Sequence, residues 1–194
     1  QMSGNDSLLG NSGTDVLYGY EGNDSIDGKA GNDTLYGGAG NDSIWGGEGN
    51  DTLYGEQGND TIDGGSGRDI IFAGAGNDTI DGGLGSDTID AGAGNDTLIY
   101  TYANEARVVD YYNGGSGSDT LVLDFSKYTQ WTQASWSTFE AALTQRIAQF
   151  KAMVEQYKAA NGNLPNTGSK DFVFDFGNGT KLQVSMTEKV VVIA

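Results

Sequence analysis

The chain has 194 residues, no histidine, no cysteine and a net charge of −17. The charge is uneven: residues 1–100 hold 18 acidic and 2 basic side chains, residues 101–194 hold 9 and 8. These numbers exclude disulfides, Cys-based zinc sites and histidine- or cysteine-dependent catalytic machinery, and they oppose nucleic-acid binding, which needs a basic surface. No apolar run is long enough for a transmembrane helix, and no N-terminal signal peptide is present. We expect no enzymatic activity in this chain; a catalytic domain, if any, would lie outside it. We expect the chain to be an excised piece of a longer protein, because Gln1 and Met2 stand where a repeat would carry glycines.

From its start to Leu98 the chain repeats every nine residues. One copy reads Gly37-Gly38-Ala39-Gly40-Asn41-Asp42-Ser43-Ile44-Trp45. Aspartate recurs in register at Asp6, Asp15, Asp24, Asp33, Asp42, Asp51, Asp60, Asp69, Asp78, Asp87 and Asp96, with glycine two residues before each and an aliphatic residue two residues after. Gly-Gly-x-Gly opposes a helix, since each glycine costs about 1 kcal/mol against alanine. Glycine also permits positive φ, so six residues can turn tightly with carbonyls inward. The next three, such as Ser43-Ile44-Trp45, alternate polar, apolar and outward-facing, which predicts a three-residue strand. One buried aliphatic side chain per nine ordered residues is too little to fold the chain unaided.

This nonapeptide, G-G-x-G-x-D-x-U-x, resembles the calcium-binding repeat of the RTX (repeats-in-toxin) exoproteins. The resemblance covers residues 1–100 and one later copy, Gly114 to Val122, with its aspartate at Asp119. It implies a mainly β fold: a right-handed parallel β-roll, a calcium-binding solenoid with two repeats per coil, followed by a C-terminal α+β capping segment. Residues 18 apart then stack, which sorts the aspartates into two columns. Asp6, Asp24, Asp42, Asp60, Asp78 and Asp96 line one edge; Asp15, Asp33, Asp51, Asp69 and Asp87 line the other. Carboxylates about 5 Å apart repel by roughly 1 kcal/mol in water and several-fold more at a partly dry site. Calcium suits the gaps, because it takes 6–8 oxygens from carboxylates and carbonyls. About nine ions are expected, with Asp119 as a further ligand. The backbone carbonyl candidates are Gly37, Ala39, Gly40, Gly46, Glu48, Gly49, Gly55, Gln57, Gly58, Gly64, Ser66 and Gly67. Lys29 and Arg68 intrude on the turns ending at Asp33 and Asp69 and mark those two as the weakest sites.

The last residue of each repeat faces outward. Tyr18, Tyr36, Tyr54 and Phe72 then form an aromatic ladder, which reads either as self-stacking or as a docking face for the C-terminal segment or a carbohydrate.

After Leu98 the register breaks. Glu105, 18 residues after Asp87, is placed to close that edge, and 107–111 reads as a strand. Asp119 lies 23 residues after Asp96, so an insertion of five lets the late repeat (114–122) rejoin the roll. The spacing predicts a helix over 137–160, opened by a Ser137/Glu140 capping box, with Phe139, Leu143, Ile147, Phe150, Val154 and Tyr157 on one face. Residues 171–193 read as a β-hairpin, 172–176 against 181–186, with 190–193 as a third strand. The expected division is 1–100 for the roll and 101–194 for the cap.

The resemblance implies a module that folds on calcium outside the cell and supports type I secretion and folding of a larger exoprotein, such as a toxin, adhesin or exoenzyme. Its partners are then calcium and the type I secretion machinery. The alternative is an adhesin module that binds a polysaccharide or host surface through the aromatic ladder.

Overall fold

The computed structural model describes residues 3–101, 109–124, 141–145, 147–149, 151–152, 172–175, 181–185 and 189–193. Two eight-stranded sheets face each other. The first runs β1 (Ser7–Leu9), β3 (Ser25–Asp27), β5 (Ser43–Glu48), β7 (Thr61–Ser66), β9 (Thr79–Asp81), β11 (Thr97–Thr101), β13 (Thr120–Asp124) and β16 (Lys189–Ile193). The second runs β2 (Val16–Glu21), β4 (Thr34–Ala39), β6 (Thr52–Gln57), β8 (Ile70–Ala75), β10 (Thr88–Ala93), β12 (Val109–Asn113), β15 (Lys181–Ser185) and β14 (Phe172–Asp175). The chain alternates between the sheets, so each coil takes two repeats, and all neighbours pair in parallel except β14 with β15. The architecture is a parallel β-roll.

The register is 18 through the repeats: Leu35 lies against Leu53 and Ile44 against Ile62. The aliphatic residue two positions after each aspartate points inward. Ile26, Leu35, Ile44, Leu53, Ile62, Ile71, Ile80, Ile89 and Leu98 form a buried file between the sheets, continued by Leu121. Alternation along each strand sends the neighbouring residues to solvent, because successive side chains point to opposite faces.

The strands differ from the three-residue expectation. Most repeat strands span six residues, because the ladder continues past the outward residue: Gly47 pairs with Gly65 and Glu48 with Ser66. The first turn position, as at Gly46 and Gly64, is skipped, and pairing resumes at the second and third positions.

Beyond Leu98 the register becomes 23. Thr97 pairs with Thr120 and Thr88 with Tyr111, so a single five-residue insertion shifts both sheets. The late repeat therefore rejoins the roll. The closing position assigned to Glu105 is held by Asp110; Glu105 itself lies outside the described residues. The tail also differs from expectation. β14 and β15 pair antiparallel, with Phe172 opposite Val184. The strand at 189–193 does not extend that hairpin; β16 pairs in parallel with β13 in the opposite sheet, while β15 pairs in parallel with β12. Residues near the C-terminus thus supply another coil of the roll.

Of the helix predicted over 137–160, residues 141–145, 147–149 and 151–152 are helical. Leu143 is buried in the core cluster and Ile147 packs against it. Phe139, Phe150, Val154, Tyr157 and both capping-box residues lie outside the described residues.

Candidate metal centre

Each six-residue turn is bent by glycines that L side chains replace poorly. In the turn ending at Asp42, Gly38 has φ +112° and Gly40 has φ +136°, a region open to glycine at no steric cost. The turn aims the aspartate side chain along the roll axis. The Asp42 amide donates to Asp60 Oδ1 at 2.8 Å, and the Asp24 amide donates to Asp42 Oδ1 at 2.7 Å. One edge carries this relay through Asp6, Asp24, Asp42, Asp60, Asp78, Asp96 and Asp119. The other carries it through Asp15, Asp33, Asp51, Asp69, Asp87 and Asp110. Asp33 and Asp69 sit in this relay like the rest. Lys29 turns outward to pair with Asp27 at 2.5 Å. Arg68 keeps its place through its amide, which donates to Asn50 Oδ1.

The second carboxylate oxygen is treated differently. Oδ2 of Asp6, Asp24, Asp33, Asp42, Asp51, Asp60, Asp69, Asp78 and Asp96 is buried and has no hydrogen-bond partner. A backbone carbonyl faces it. A methyl built on Gly37 would lie 2.5 Å from Asp42 Oδ2 and 2.9 Å from the Gly55 oxygen. At Gly28 the corresponding distances are 2.6 Å to Asp33 Oδ2 and 2.7 Å to the Gly46 oxygen; at Gly64 they are 2.7 Å to Asp69 Oδ2 and 2.5 Å to the Gly82 oxygen. At Gly19, Gly28, Gly37, Gly46, Gly55 and Gly64 the turn therefore holds a cradle where an anionic oxygen and a carbonyl oxygen converge and no donor serves the carboxylate oxygen; at Gly10 the Asn11 amide donates to Asp15 Oδ2 at 2.7 Å. Buried oxygens of this kind are costly to leave unmatched. An oxygen-only donor set fits a hard cation such as calcium and not a soft one. Among the described residues no three acidic side chains cluster as a metal site; the oxygens come from carboxylates of successive coils and from backbone.

The candidate carbonyls separate by turn position. Those of Gly37, Gly46, Gly55 and Gly64 face the cradles. Those of Ala39, Glu48, Gln57 and Ser66 accept backbone amides of the preceding coil, as in Gly22 N–H to Ala39 O at 2.9 Å. Those of Gly40, Gly49, Gly58 and Gly67 lie against the glycine one coil further on, leaving no room there for a side chain.

Burial pushes the carboxyls of Asp60, Asp69 and Asp78 up to about 7, 8 and 6, against the relieving backbone hydrogen bond and with neighbouring column aspartates adding to the rise. Asp42, Asp51 and Asp96 are raised for the same leading reason. Without a cation these columns hold protons where an exposed aspartate would be ionised.

Sequence reasoning missed two features. Asp110 completes its column because it lies 23 residues after Asp87, the same offset that separates Asp96 from Asp119; that shared offset was the available signal. An asparagine relay also runs beside the aspartates, with each amide in the series Asn23, Asn41, Asn59, Asn77 and Asn95 donating to the side-chain oxygen of the asparagine 18 residues before it.

The aromatic ladder stands on the outer face of the second sheet. Ring centroids are 4.7 Å apart for Tyr18–Tyr36 and Tyr36–Tyr54 and 5.3 Å for Tyr54–Phe72, with interplanar angles of 3°, 3° and 11°. The rings cover one another's faces and present mainly edges to solvent.

A family model described as the RTX calcium-binding nonapeptide repeat matches residues 2–35, 27–62, 63–98 and 109–121. The last match includes both Asp110 and Asp119. No curated protein matches the chain. Among solved structures, the crystal structure of extracellular lipase LipA from Serratia marcescens is similar at 16% identity and a TM-score of 0.24, over 98% of this chain and 40% of that one. No described helix is long and apolar enough to cross a membrane.

Proposed function

Because the chain belongs to the RTX calcium-binding nonapeptide repeat family, we propose that it is a calcium-gated folding module of a larger secreted protein. Calcium would be held between successive coils by the column aspartates and the carbonyls of the first turn position. The observation that carries this reading is the row of buried, partnerless Oδ2 atoms, with a carbonyl oxygen facing those of Asp24, Asp33, Asp42, Asp51, Asp60 and Asp69. Bound calcium supplies the positive charge that lets the columns ionise. Its binding free energy then becomes folding free energy, because the unfolded chain has no preformed site. The ion count expected from the repeats is about nine, and the relays to Asp110 and Asp119 add one gap to each edge.

In this reading the chain stays unfolded where calcium is scarce, passes the type I secretion machinery, and folds outside the cell. Extracellular calcium modules bind at about 10⁻⁴–10⁻³ M, which suits such a switch. The module carries no catalysis of its own; toxin, adhesin or exoenzyme activity belongs to the larger protein. The polysaccharide-binding alternative gains no support from the ladder, since stacked rings offer a sugar few free faces.

The test is a calcium titration of metal-stripped protein followed by far-UV circular dichroism, with magnesium as control. The expected result is a cooperative gain of β structure with calcium, reversed by chelator and not reproduced by magnesium. A chain already folded without metal would overturn the reading.

A further inference from the structure

Resting on that calcium reading, we infer that the methyl groups of Ala73 and Ala91 occupy two of the cradles and withhold a tightly bound ion from each. In the column formed by Gly19, Gly37 and Gly55, the next two members are Ala73 and Ala91, and Gly114 follows. The opposite edge keeps glycine at Gly10, Gly28, Gly46, Gly64 and Gly82. The two edges of one roll are therefore walled differently.

The geometry sets a competition for space. At the glycine cradles from Gly10 to Gly64 a methyl would lie 2.3–2.9 Å from Oδ2 and carbonyl oxygen, whereas ordinary contact begins at 3.4 Å. Calcium needs those same oxygens at about 2.3–2.6 Å. A real methyl must spread the oxygens or push the ion out from between them. Carried on by the same register, the pair at Ala73 is Asp78 Oδ2 with the Ala91 carbonyl and the pair at Ala91 is Asp96 Oδ2 with the Gly114 carbonyl; both Oδ2 atoms are buried without a hydrogen-bond partner. Both alanines are fully buried and belong to the core cluster with Ile71, Ile80, Ile89 and Leu98. The relay is intact beside them: Asp60 N–H to Asp78 Oδ1 and Asp78 N–H to Asp96 Oδ1 are both 2.8 Å. The coils at this end of that edge keep the hydrogen-bonded turn and fill its interior with hydrocarbon.

The experiment counts ions. Full-length wild type, Ala73→Gly/Ala91→Gly and Gly37→Ala are metal-stripped and equilibrated at a calcium concentration that saturates the wild-type transition. Bound calcium per chain is then read by atomic emission and by calorimetric titration. The double variant should bind two more tight ions than wild type, and Gly37→Ala one fewer. An unchanged count in the double variant overturns the inference, as does a folded Gly37→Ala that keeps the wild-type count. If Gly37→Ala does not fold, the double variant alone decides. Wild type that takes up no calcium would instead sink the calcium reading itself, so the two failures are distinguishable.

Discussion

The repeat coils and the last coils share one hydrogen-bond plan and differ in what fills it. Through Gly64 the position four residues after each aspartate is glycine, and the interior edge is lined by oxygen. From there on the same position carries Ala73, Ala91, Tyr100 and Leu123, all buried, with Gly82 and Gly114 the exceptions. The Gly82 cradle is also closed differently: a methyl built there would meet Asp87 Oδ2 at 2.8 Å and the Tyr112 hydroxyl at 3.0 Å. Tyr112 donates to the Ile99 carbonyl at 3.2 Å, and burial raises its phenol well above the usual range, so it stays a donor. One end of the roll asks for cations; the other is closed by packing.

Removing either kind of filling should have the largest effects. Calcium removal should abolish the β signal of the repeat coils. Deleting residues 101–194 should remove the packed end and leave coils that fold poorly in calcium, raising the midpoint of the titration at least about tenfold, which is 1.4 kcal/mol. Full folding of that truncation at the wild-type midpoint would mean that the packed end contributes nothing to the oxygen-lined coils.

Single substitutions sharpen the contrast. Asp42→Ala removes a ligand and leaves the Asp24 amide unserved; it should cost about 3 kcal/mol in calcium, the scale for breaking a buried charged pair, and little without metal. Leu123→Ala opens a cavity in the packed end and should cost about 2–5 kcal/mol. Urea unfolding at saturating and reduced calcium separates the two: only the aspartate variant should show a cost that scales with calcium. Equal costs for both at each concentration would erase the distinction between the ends.

The legible and illegible parts of the fold divide along the same line. Residues 3–98 were readable because one aspartate, its glycines and one inward aliphatic recur at every turn, so the register and both acid columns follow from spacing once two repeats form a coil. Asp110 was hidden because the five residues before it, Glu105 to Val109, carry none of the turn glycines. The return of β15 and β16 to the roll was hidden for a similar reason: neither strand follows a nonapeptide turn, since Gly177 and Gly179 precede β15 without the repeat's aspartate, and a long stretch separates them from their partners β12 and β13. Where packing replaces oxygen, the nonapeptide is no longer needed and its signature fades. The two alanines were in plain sight, but their meaning depends on how closely Oδ2 and the next carbonyl approach, which spacing does not give.

Acidity should act oppositely on the metal-free and metal-loaded roll. In the folded, metal-free chain Asp60, Asp69 and Asp78 titrate at about 7, 8 and 6, above an unfolded value of about 3.9. Their contribution to stability is complete below about pH 4 and is lost as pH rises through 6 to 8. Metal-stripped protein in metal-free buffer should thus show more β structure at pH 5 than at pH 9 by circular dichroism. With calcium present the trend should reverse, because protons compete for the same oxygens. Less structure at pH 5 than at pH 9 without metal would mean that the columns do not govern folding.

The smallest expected effect lies in the turn backbone. Tyr20, Lys29 and Glu56 occupy the second turn position, where Gly38, Gly47, Gly65, Gly74, Gly83 and Gly92 have φ near +100°, and they hold φ of +75°, +78° and +74°. Non-glycine residues in that region are strained by about 1 kcal/mol or more, while glycine there gives back part of the gain through a freer unfolded chain. Glu56→Gly should therefore stabilise the calcium-loaded roll by up to about 1 kcal/mol, read as a higher urea midpoint at an unchanged slope. Tyr20→Gly relieves the same strain but removes the ring that stacks on Tyr18 at 5.8 Å, and a stacked aromatic pair contributes about 0.5–1.5 kcal/mol. Its net effect should be near zero. A stabilisation by Tyr20→Gly as large as that by Glu56→Gly would mean that the ladder's terminal ring adds nothing to the fold, and that the stacking beside it is a consequence of register alone.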